Sequence, residues 1–289
     1  MEIAFNEFFK YRMIDDDKIE TGNSTIYKAQ DLEFNRTVCV KSIRFDKSSP
    51  SFQEHRKRAM LEVKSLIAIS ELTMHVPSVY NVYFDDKNAT LYIIMQWING
   101  NTLTQVMDKI SPSAFLKYMI ELCEILEKLE FRKMSHKDIK PSNIMITPDN
   151  EICLIDFNLS ISVPNQVEGT QNYKAPEMDL NSRSPSRNKV DIFSVGVIMY
   201  QFFTGKIPVR GIDYAIQSRR RNSSSFEWDA FIEPVSIRPD LSQNINNIIV
   251  KCMKLNPDHR YIKAKDLKRD LIFAERSLRN GSKRTSQNR

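Results

Sequence analysis

The chain has 289 residues, enough for one large or two moderate hydrophobic cores. Hydrophobic residues make up 41% and charged residues 27%, as in an ordinary soluble globular protein. No apolar run approaches the roughly 18 residues of a membrane-spanning helix, so no membrane association is expected. The start lacks a secretion signal and has no glycine after Met1, which argues against export and myristoylation. We therefore predict a cytoplasmic location, or a nuclear one if the source is a eukaryote.

The net charge is mildly positive, 42 − 36 = +6, and the excess is concentrated at residues 219–221 and 282–285. A solvated basic loop and tail are favoured over a nucleic-acid surface, because no nucleic-acid-binding module accompanies these charges.

The four cysteines lie far apart within apolar segments. They are interpreted as buried thiols in a reducing compartment and not as disulfides.

The first third of the chain has the patterns of strands with one helix. Alternating, β-branched segments predict strands at 24–29, 37–43, 79–84 and 90–96. Apolar residues spaced for one helical face predict a helix over 51–70.

After Gly100 the chain becomes mainly helical, beginning with a clear amphipathic stripe over 114–131. Further predicted elements are short strands at 143–146 and 152–155, and helices at 190–203, 245–253 and 264–275. The polar, basic residues 277–289 are expected to be disordered.

Three short segments carry the functional signal: HKDIKPSN at 136–143, LIDFN at 154–158 and APE at 175–177. None is specific alone, but their order and spacing together are. They resemble the catalytic loop, the metal-binding turn and the substrate-loop anchor of the eukaryotic-type (Hanks-type) serine/threonine protein kinase family.

This resemblance implies an α+β, bilobal protein-kinase-like fold. A small β-rich N-lobe with one main helix would span 1–97, and a larger, mainly α-helical C-lobe would span 98–276. The implied activity is transfer of the γ-phosphate of ATP, with Mg²⁺ or Mn²⁺, to serine or threonine hydroxyls of protein substrates. Nucleic-acid and membrane partners are not expected, and the sequence leaves the oligomeric state open.

The same resemblance assigns the phosphoryl-transfer residues. Asp138 would accept the proton of the attacking hydroxyl, and Lys140 would neutralise charge on the moving phosphate. Asn143 and Asp156 would hold the metal ions. Thr170, in the run GTQNYKAPE, would bond near Asp138 and Lys140, and this run favours serine/threonine acceptors over small molecules.

On the nucleotide side, Lys41 closes a V-A-I-K-like segment and would hold the α- and β-phosphates. Glu62, 21 residues later, matches the glutamate that positions this lysine in the family, and Glu54 is a weaker alternative. The remaining residues expected around the nucleotide are Ile19, Gly22, Ser24, Ile26, Cys39, Met95, Gln96, Trp97, Ile98 and Met145. For Cys39, which replaces the usual alanine, a buried inert thiol is favoured over a reactive one.

The main departure from the family is the glycine-rich loop: Gly22 is its only glycine, and the three positions where the family has glycine hold Ile19, Thr21 and Ser24. Glycine there lets backbone amides approach phosphate oxygens, so the loss predicts weaker nucleotide clamping. Asn158 also replaces the glycine of the metal-binding turn. Asparagine tolerates left-handed backbone angles, so the turn can still adopt the conformation that holds the metal.

Regulation also departs from the common pattern. Lys137 stands where most regulated kinases have an arginine that grips a phosphate on the activation segment. Lysine binds phosphate only as a point charge, so we predict no need for activation-loop phosphorylation. The serines after the basic run 219–221 could form an autophosphorylation or docking site, although a plain solvated loop is favoured.

Two structural roles follow from the resemblance. Asp191 should accept backbone N–H groups of the catalytic loop, because a charge in so apolar a helix needs such partners. Arg260 should pair with Glu177.

The alternatives to an active protein kinase are a catalytically weak or inactive kinase-like nucleotide-binding scaffold and, less favoured, a small-molecule kinase.

Overall fold

In the computed structural model, the residues described are 2–4, 10–14, 18–21, 24–157, 170–179, 187–208 and 231–287. The predictions on Gly22, Asn158, the activation segment 160–168 and the basic run 219–221 lie outside them. The chain divides into two compact units, Met1–Gly100 and Asn101–Arg289. This division falls three residues after the lobe boundary expected from the sequence, 97/98.

The first unit is a twisted antiparallel sheet with one long helix. Its elements are β1 (Glu2–Ala4), β2 (Lys10–Met13), β3 (Ile19–Thr21), β4 (Ser24–Asp31), β5 (Arg36–Arg44), α1 (Phe52–Ser70), β6 (Val79–Asp85) and β7 (Thr90–Gln96). The strand order is β1-β2-β4-β5-β7-β6, and β3 pairs with β4. The predicted strands and the predicted helix are all present, with ends that differ by at most two residues.

Two apolar clusters hold the sheet of the first unit. One face packs Ile43, Leu91 and Ile93 against Ala59 and Val63 of α1. The other cluster is built from Tyr11, Ala29, Val38, Val40 and Ile94. Because cross-strand neighbours share a face, the register then decides which side chains line each surface.

The second unit is mainly helical. Its elements are β8 (Asn101–Thr102), α2 (Leu103–Val106), α3 (Pro112–Phe131), β9 (Ile144–Ile146), β10 (Ile152–Leu154), α4 (Pro176–Asp179), α5 (Arg187–Thr204), α6 (Pro234–Ile237), α7 (Gln243–Cys252) and α8 (Ala264–Gln287). A 3-10 turn, Pro141–Asn143, precedes β9, and β8, β9 and β10 form a small antiparallel sheet. The start of α3 is fixed locally: Ser111 Oγ accepts a hydrogen bond from Ala114 N, and Pro112 occupies the first turn.

Helix α5 runs through the core of this unit, and α7 packs very closely against it. A Cβ added at Gly196 would lie 2.6 Å from Cys252 Cβ and 2.7 Å from Met253 Cγ. Only glycine allows this approach, so Gly196 sets the spacing between the two helices.

Helix α8 packs along α3 and continues to Gln287. Ser113 Oγ donates to Glu275 Oε1 at 2.7 Å, and Arg279 pairs with the same carboxylate. The helix is thus longer than the predicted span 264–275, because it extends from a segment that α3 already anchors, and the disorder expected of the tail 277–289 stays a prediction. Within the described ranges, no helix is both long and apolar enough to cross a membrane.

Candidate active site

Asp138 is the centre of a hydrogen-bonded cluster in the second unit. Its Oδ1 accepts hydrogen bonds from Thr170 N at 2.8 Å and Thr170 Oγ1 at 2.7 Å. Its Oδ2 lies 2.9 Å from Lys140 Nζ and 3.2 Å from Asn143 Nδ2. Both carboxylate oxygens are thus held by donors, which fixes the orientation of the carboxylate.

The side chains around Asp138 also bond to each other. Lys140 Nζ donates to Thr170 Oγ1 at 2.8 Å, so this hydroxyl accepts from the lysine while it donates to Asp138. Asn143 Nδ2 donates to the backbone oxygen of Asp138 at 2.9 Å. Four of the residues named from the sequence therefore form one connected network.

Asp191 on α5 holds the backbone of the catalytic loop at His136 and Lys137. Its carboxylate accepts from His136 N at 2.8 Å and from Lys137 N at 2.7 Å, which confirms the role predicted for it. Burial raises the pKa of Asp191 to about 7, against the lowering effect of the two N–H donors and of Lys137. Lys137 has a φ of +67°, a left-handed conformation that a non-glycine residue adopts only when its surroundings hold it.

His136 links the catalytic loop to the turn that carries Asp156. Its Nε2 lies 3.1 Å from the oxygen of Ile155, and its Nδ1 accepts from Asp138 N at 3.3 Å. The ring stands edge-on to Phe157, with centroids 4.8 Å apart. Burial lowers the pKa of His136, so the neutral ring with the proton on Nε2 satisfies both bonds.

Asn143 and Asp156 are close in the backbone network and offer oxygen ligands. Ile155 N donates to Asn143 O at 2.9 Å, and Asp156 has a φ of +69°. Because Asn143 Nδ2 bonds Asp138, the amide oxygen is the atom left for a cation. One amide oxygen and one carboxylate suit Mg²⁺, which takes few protein ligands and completes its shell with phosphates and water. Among the described residues, no group of three or more His, Cys, Asp or Glu side chains is placed to hold a metal ion.

The segment after Thr170 is anchored by a buried ion pair. Arg260 donates to both oxygens of Glu177, at 2.6 and 2.8 Å, and this confirms the predicted pairing. The guanidinium also donates to the backbone oxygens of Lys254 and Lys189, at 2.7 and 2.9 Å. With these partners the buried charge is compensated.

The candidate nucleotide residues fall in both units. In the first, β5 pairs Lys41 with Ile26 of β4, and pairs Cys39 with Met95 of β7, so these four share one face of the sheet. Lys41 is buried there, and Glu62 lies on α1. The others are positioned as follows: Ile19 on β3, Ser24 at the start of β4, Gln96 at the end of β7, Trp97 and Ile98 just after it, and Met145 on β9 of the second unit.

The comparison with known families decides the class of protein. Residues 16–272 match the model of the protein kinase domain. The chain belongs to the protein kinase domain family. Its β-sheet unit and helical unit accordingly correspond to the bilobal α+β kinase fold that the motifs predicted.

Relatives of this kinase domain include several bacterial proteins. It is 26% identical over 278 residues to serine/threonine-protein kinase PrkC of Bacillus subtilis, covering 91% of this chain and 40% of PrkC. It is 27% identical over 272 residues to serine/threonine-protein kinase PknB of Mycolicibacterium smegmatis, covering 87% and 41%. A probable serine/threonine-protein kinase of Clostridium acetobutylicum is 26% identical over 257 residues, covering 85% and 37%. The chain thus spans about two fifths of the length of these curated relatives.

The thiol of Cys39 in this kinase domain is not poised for reaction. Burial raises its pKa to about 11, and the nearby Lys41 charge offsets only part of that effect. The thiol is therefore protonated at neutral pH, which favours the inert interpretation over the reactive one.

Sequence reasoning missed three features of the kinase domain. His136 joins two catalytic segments, and its motif position was the available signal. Gly196 sets the α5–α7 spacing, which a glycine inside an apolar helical pattern could have indicated. Ser135 buries its hydroxyl with no hydrogen-bond partner in the described structure, and no pattern in the neighbouring sequence indicates this.

Proposed function

We propose that this kinase domain is an ATP- and magnesium-dependent serine/threonine protein kinase. The observation that carries the proposal is the Asp138 carboxylate, held by Thr170 on one oxygen and by Lys140 and Asn143 on the other. Phosphoryl transfer demands positioning and electrostatic stabilisation more than covalent chemistry, and this cluster is suited to both.

Asp138 would take the proton from the acceptor hydroxyl as the oxygen attacks the γ-phosphate of ATP. Lys140 lies 2.9 Å from that carboxylate and would balance the negative charge that develops on the transferred group. Thr170 binds both side chains and would form the floor beneath the acceptor residue. A neutral serine or threonine hydroxyl suits this geometry, and the serine/threonine kinases among the relatives support the same class.

The nucleotide would be held from the first unit by Lys41, positioned by Glu62, and by apolar residues on the same sheet face. Asn143 and Asp156 would hold the magnesium ion, which supplies charge neutralisation between the phosphates. The reduced glycine content of the β3–β4 hairpin supports a higher KM for ATP than in relatives with all three glycines.

Activation-segment phosphorylation would not be required. In the unmodified chain, Thr170 already bonds Asp138 and Lys140, so the acceptor floor is assembled without a phosphate. Lys137 in place of arginine supports the same conclusion. If phosphatase-treated enzyme lost nearly all its initial rate and regained it on autophosphorylation, this part of the proposal would be wrong.

Transfer of label from radioactive ATP tests the proposed reaction. Wild type should label generic protein substrates on serine or threonine, and Asp138→Asn should not. A chain that binds ATP but labels nothing would be a nucleotide-binding scaffold, and label on metabolites with none on protein would indicate a small-molecule kinase.

A further inference from the structure

The loop between β4 and β5 and the edge strand β6 build a cluster of two aromatic rings around an arginine. The guanidinium of Arg36 lies 3.6 Å from the ring centroid of Tyr80 and 5.1 Å from that of Phe34. We call these three residues the Arg36 cluster. They lie within the first unit, and none of them was assigned a role by the motifs.

The arginine of this cluster is fixed from one side by a buried carboxylate. Asp31 is 1% exposed, and its Oδ2 accepts from Arg36 Nε at 3.2 Å. Its Oδ1 accepts from the backbone N of Glu33 and of Phe34, at 3.2 and 3.3 Å. One carboxylate therefore sets both the loop that carries Phe34 and the plane of the guanidinium.

The second ring is positioned by an irregularity in the sheet. The pairing of β6 with β7 shifts between Val79 and Asn81, so that Tyr80 is the bulged residue. A β-bulge turns a side chain away from the regular alternation, and here it brings the ring of Tyr80 over Arg36. Asn35, with a φ of +47°, shapes the opposite loop.

These contacts leave part of each of the three side chains open to solvent. Phe34 is 61% exposed, Tyr80 is 38% exposed, and the Arg36 side chain is 38% exposed. Arg36 and the backbone of the loop are enough to bury Asp31. Phe34, which is mostly exposed, is not needed for that burial. Nε is the only guanidinium nitrogen of Arg36 with a hydrogen-bonded acceptor in the described structure, so the Nη edge can receive a carboxylate bidentately.

We propose that the Arg36 cluster is a docking surface for a protein segment that carries an aspartate or glutamate beside an apolar residue. The carboxylate would bond the Nη edge of Arg36, and the apolar side chain would lie on Phe34 and Tyr80. An arginine that is already stacked and ion-paired loses little entropy on binding, and arginine and tyrosine are enriched among the residues that dominate interfaces. The surface acts separately from the phosphoryl-transfer site.

Fluorescence anisotropy with two dye-labelled peptides tests this surface. One peptide alternates glutamate and leucine, and its twin replaces every glutamate by glutamine. Wild type should bind the glutamate peptide about tenfold or more tightly than the twin. Phe34→Ala, which removes an exposed ring, and Arg36→Lys, which keeps the charge but loses the fork, should each weaken binding by about tenfold.

Arg56 provides the matched control, because its guanidinium lies 3.8 Å from the ring centroid of Phe84 and 3.7 Å from Asp86 in the same unit. Arg56→Lys should bind the peptide as wild type does. Equal affinity for both peptides, no binding up to about 1 mM, or unchanged binding by Phe34→Ala would overturn the proposal. Self-association in sedimentation that Arg36→Lys abolishes would also overturn it, since the occupant would then be a second copy of the chain.

Discussion

Replacing Asp191 by asparagine should loosen the catalytic loop from the core. The two carboxylate oxygens accept the N–H groups of His136 and Lys137, at 2.8 and 2.7 Å. Asparagine has one acceptor oxygen, so its NH₂ group would face the second backbone N–H. Losing one charge-assisted bond and leaving a buried donor unpaired should lower the free energy of unfolding by about 2–4 kcal/mol.

The loss should be visible at the two amides themselves. Lys137 holds its left-handed φ because its N–H is fixed, so the loop should open locally before the domain unfolds. Urea unfolding at about pH 8, where Asp191 is ionised in the folded state, gives the stability change. Amide hydrogen exchange at His136 and Lys137 should be faster in Asp191→Asn than in wild type.

Ser194→Ala is a suitable control for this variant. Ser194 lies on the same helix and bonds the backbone oxygens of Tyr173 and Val190, at 2.8 and 3.2 Å, and not the catalytic loop. It should lose some stability while the His136 and Lys137 amides stay protected. Protected amides in Asp191→Asn, together with a stability change below about 0.5 kcal/mol, would refute the reasoning.

Three further predictions concern stability. Gly196→Ala forces a Cβ to 2.6 Å from Cys252 Cβ, so urea unfolding should show a loss of about 1–3 kcal/mol, and an unchanged midpoint would contradict it. Ser135→Ala removes an unpartnered buried hydroxyl and should raise the free energy of unfolding by about 1 kcal/mol; a loss would indicate an undetected partner. Burial lowers the pKa of His136 in the folded state below its usual 6.5. As the pH falls below 6.5, the imidazole is therefore protonated in the unfolded chain before it is protonated in the folded one, and the contribution of His136 to the free energy of unfolding decreases. The difference in unfolding free energy between wild type and His136→Gln should shrink from about pH 7 to 5, and a constant difference would contradict this.

Where local pattern and tertiary packing agree, the sequence was sufficient to predict the fold. The strand at 90–96 was predicted with its observed bounds, because apolar residues bury both of its faces. The strands β1, β2 and β3 were missed, since each has only three or four residues and too few apolar positions to show alternation. The helical end of α8 was missed because a basic, polar composition hides the support of Glu275 by Ser113 and Arg279.

The residues of the candidate site were predictable where they belong to motifs with a defined order and spacing along the chain. The sequence named Asp138, Lys140, Asn143 and Thr170, and these bond to one another in the second unit. The bonds of His136 to Ile155 and Asp138 were not predictable, because they depend on the burial and tautomer of one ring. The Arg36 cluster was not predictable either, since the β4–β5 loop and the bulge in β6 come together only because β7 pairs with both β5 and β6.

Mass spectrometry of the intact chain after incubation with ATP and magnesium tests the central claim most directly. If the Asp138 cluster catalyses phosphoryl transfer, wild type should gain phosphate on serine or threonine, and Asp138→Asn, incubated in parallel, should gain none. An unmodified wild-type chain that neither phosphorylates itself nor a mixed protein substrate, while still binding magnesium and ATP, would contradict the claim.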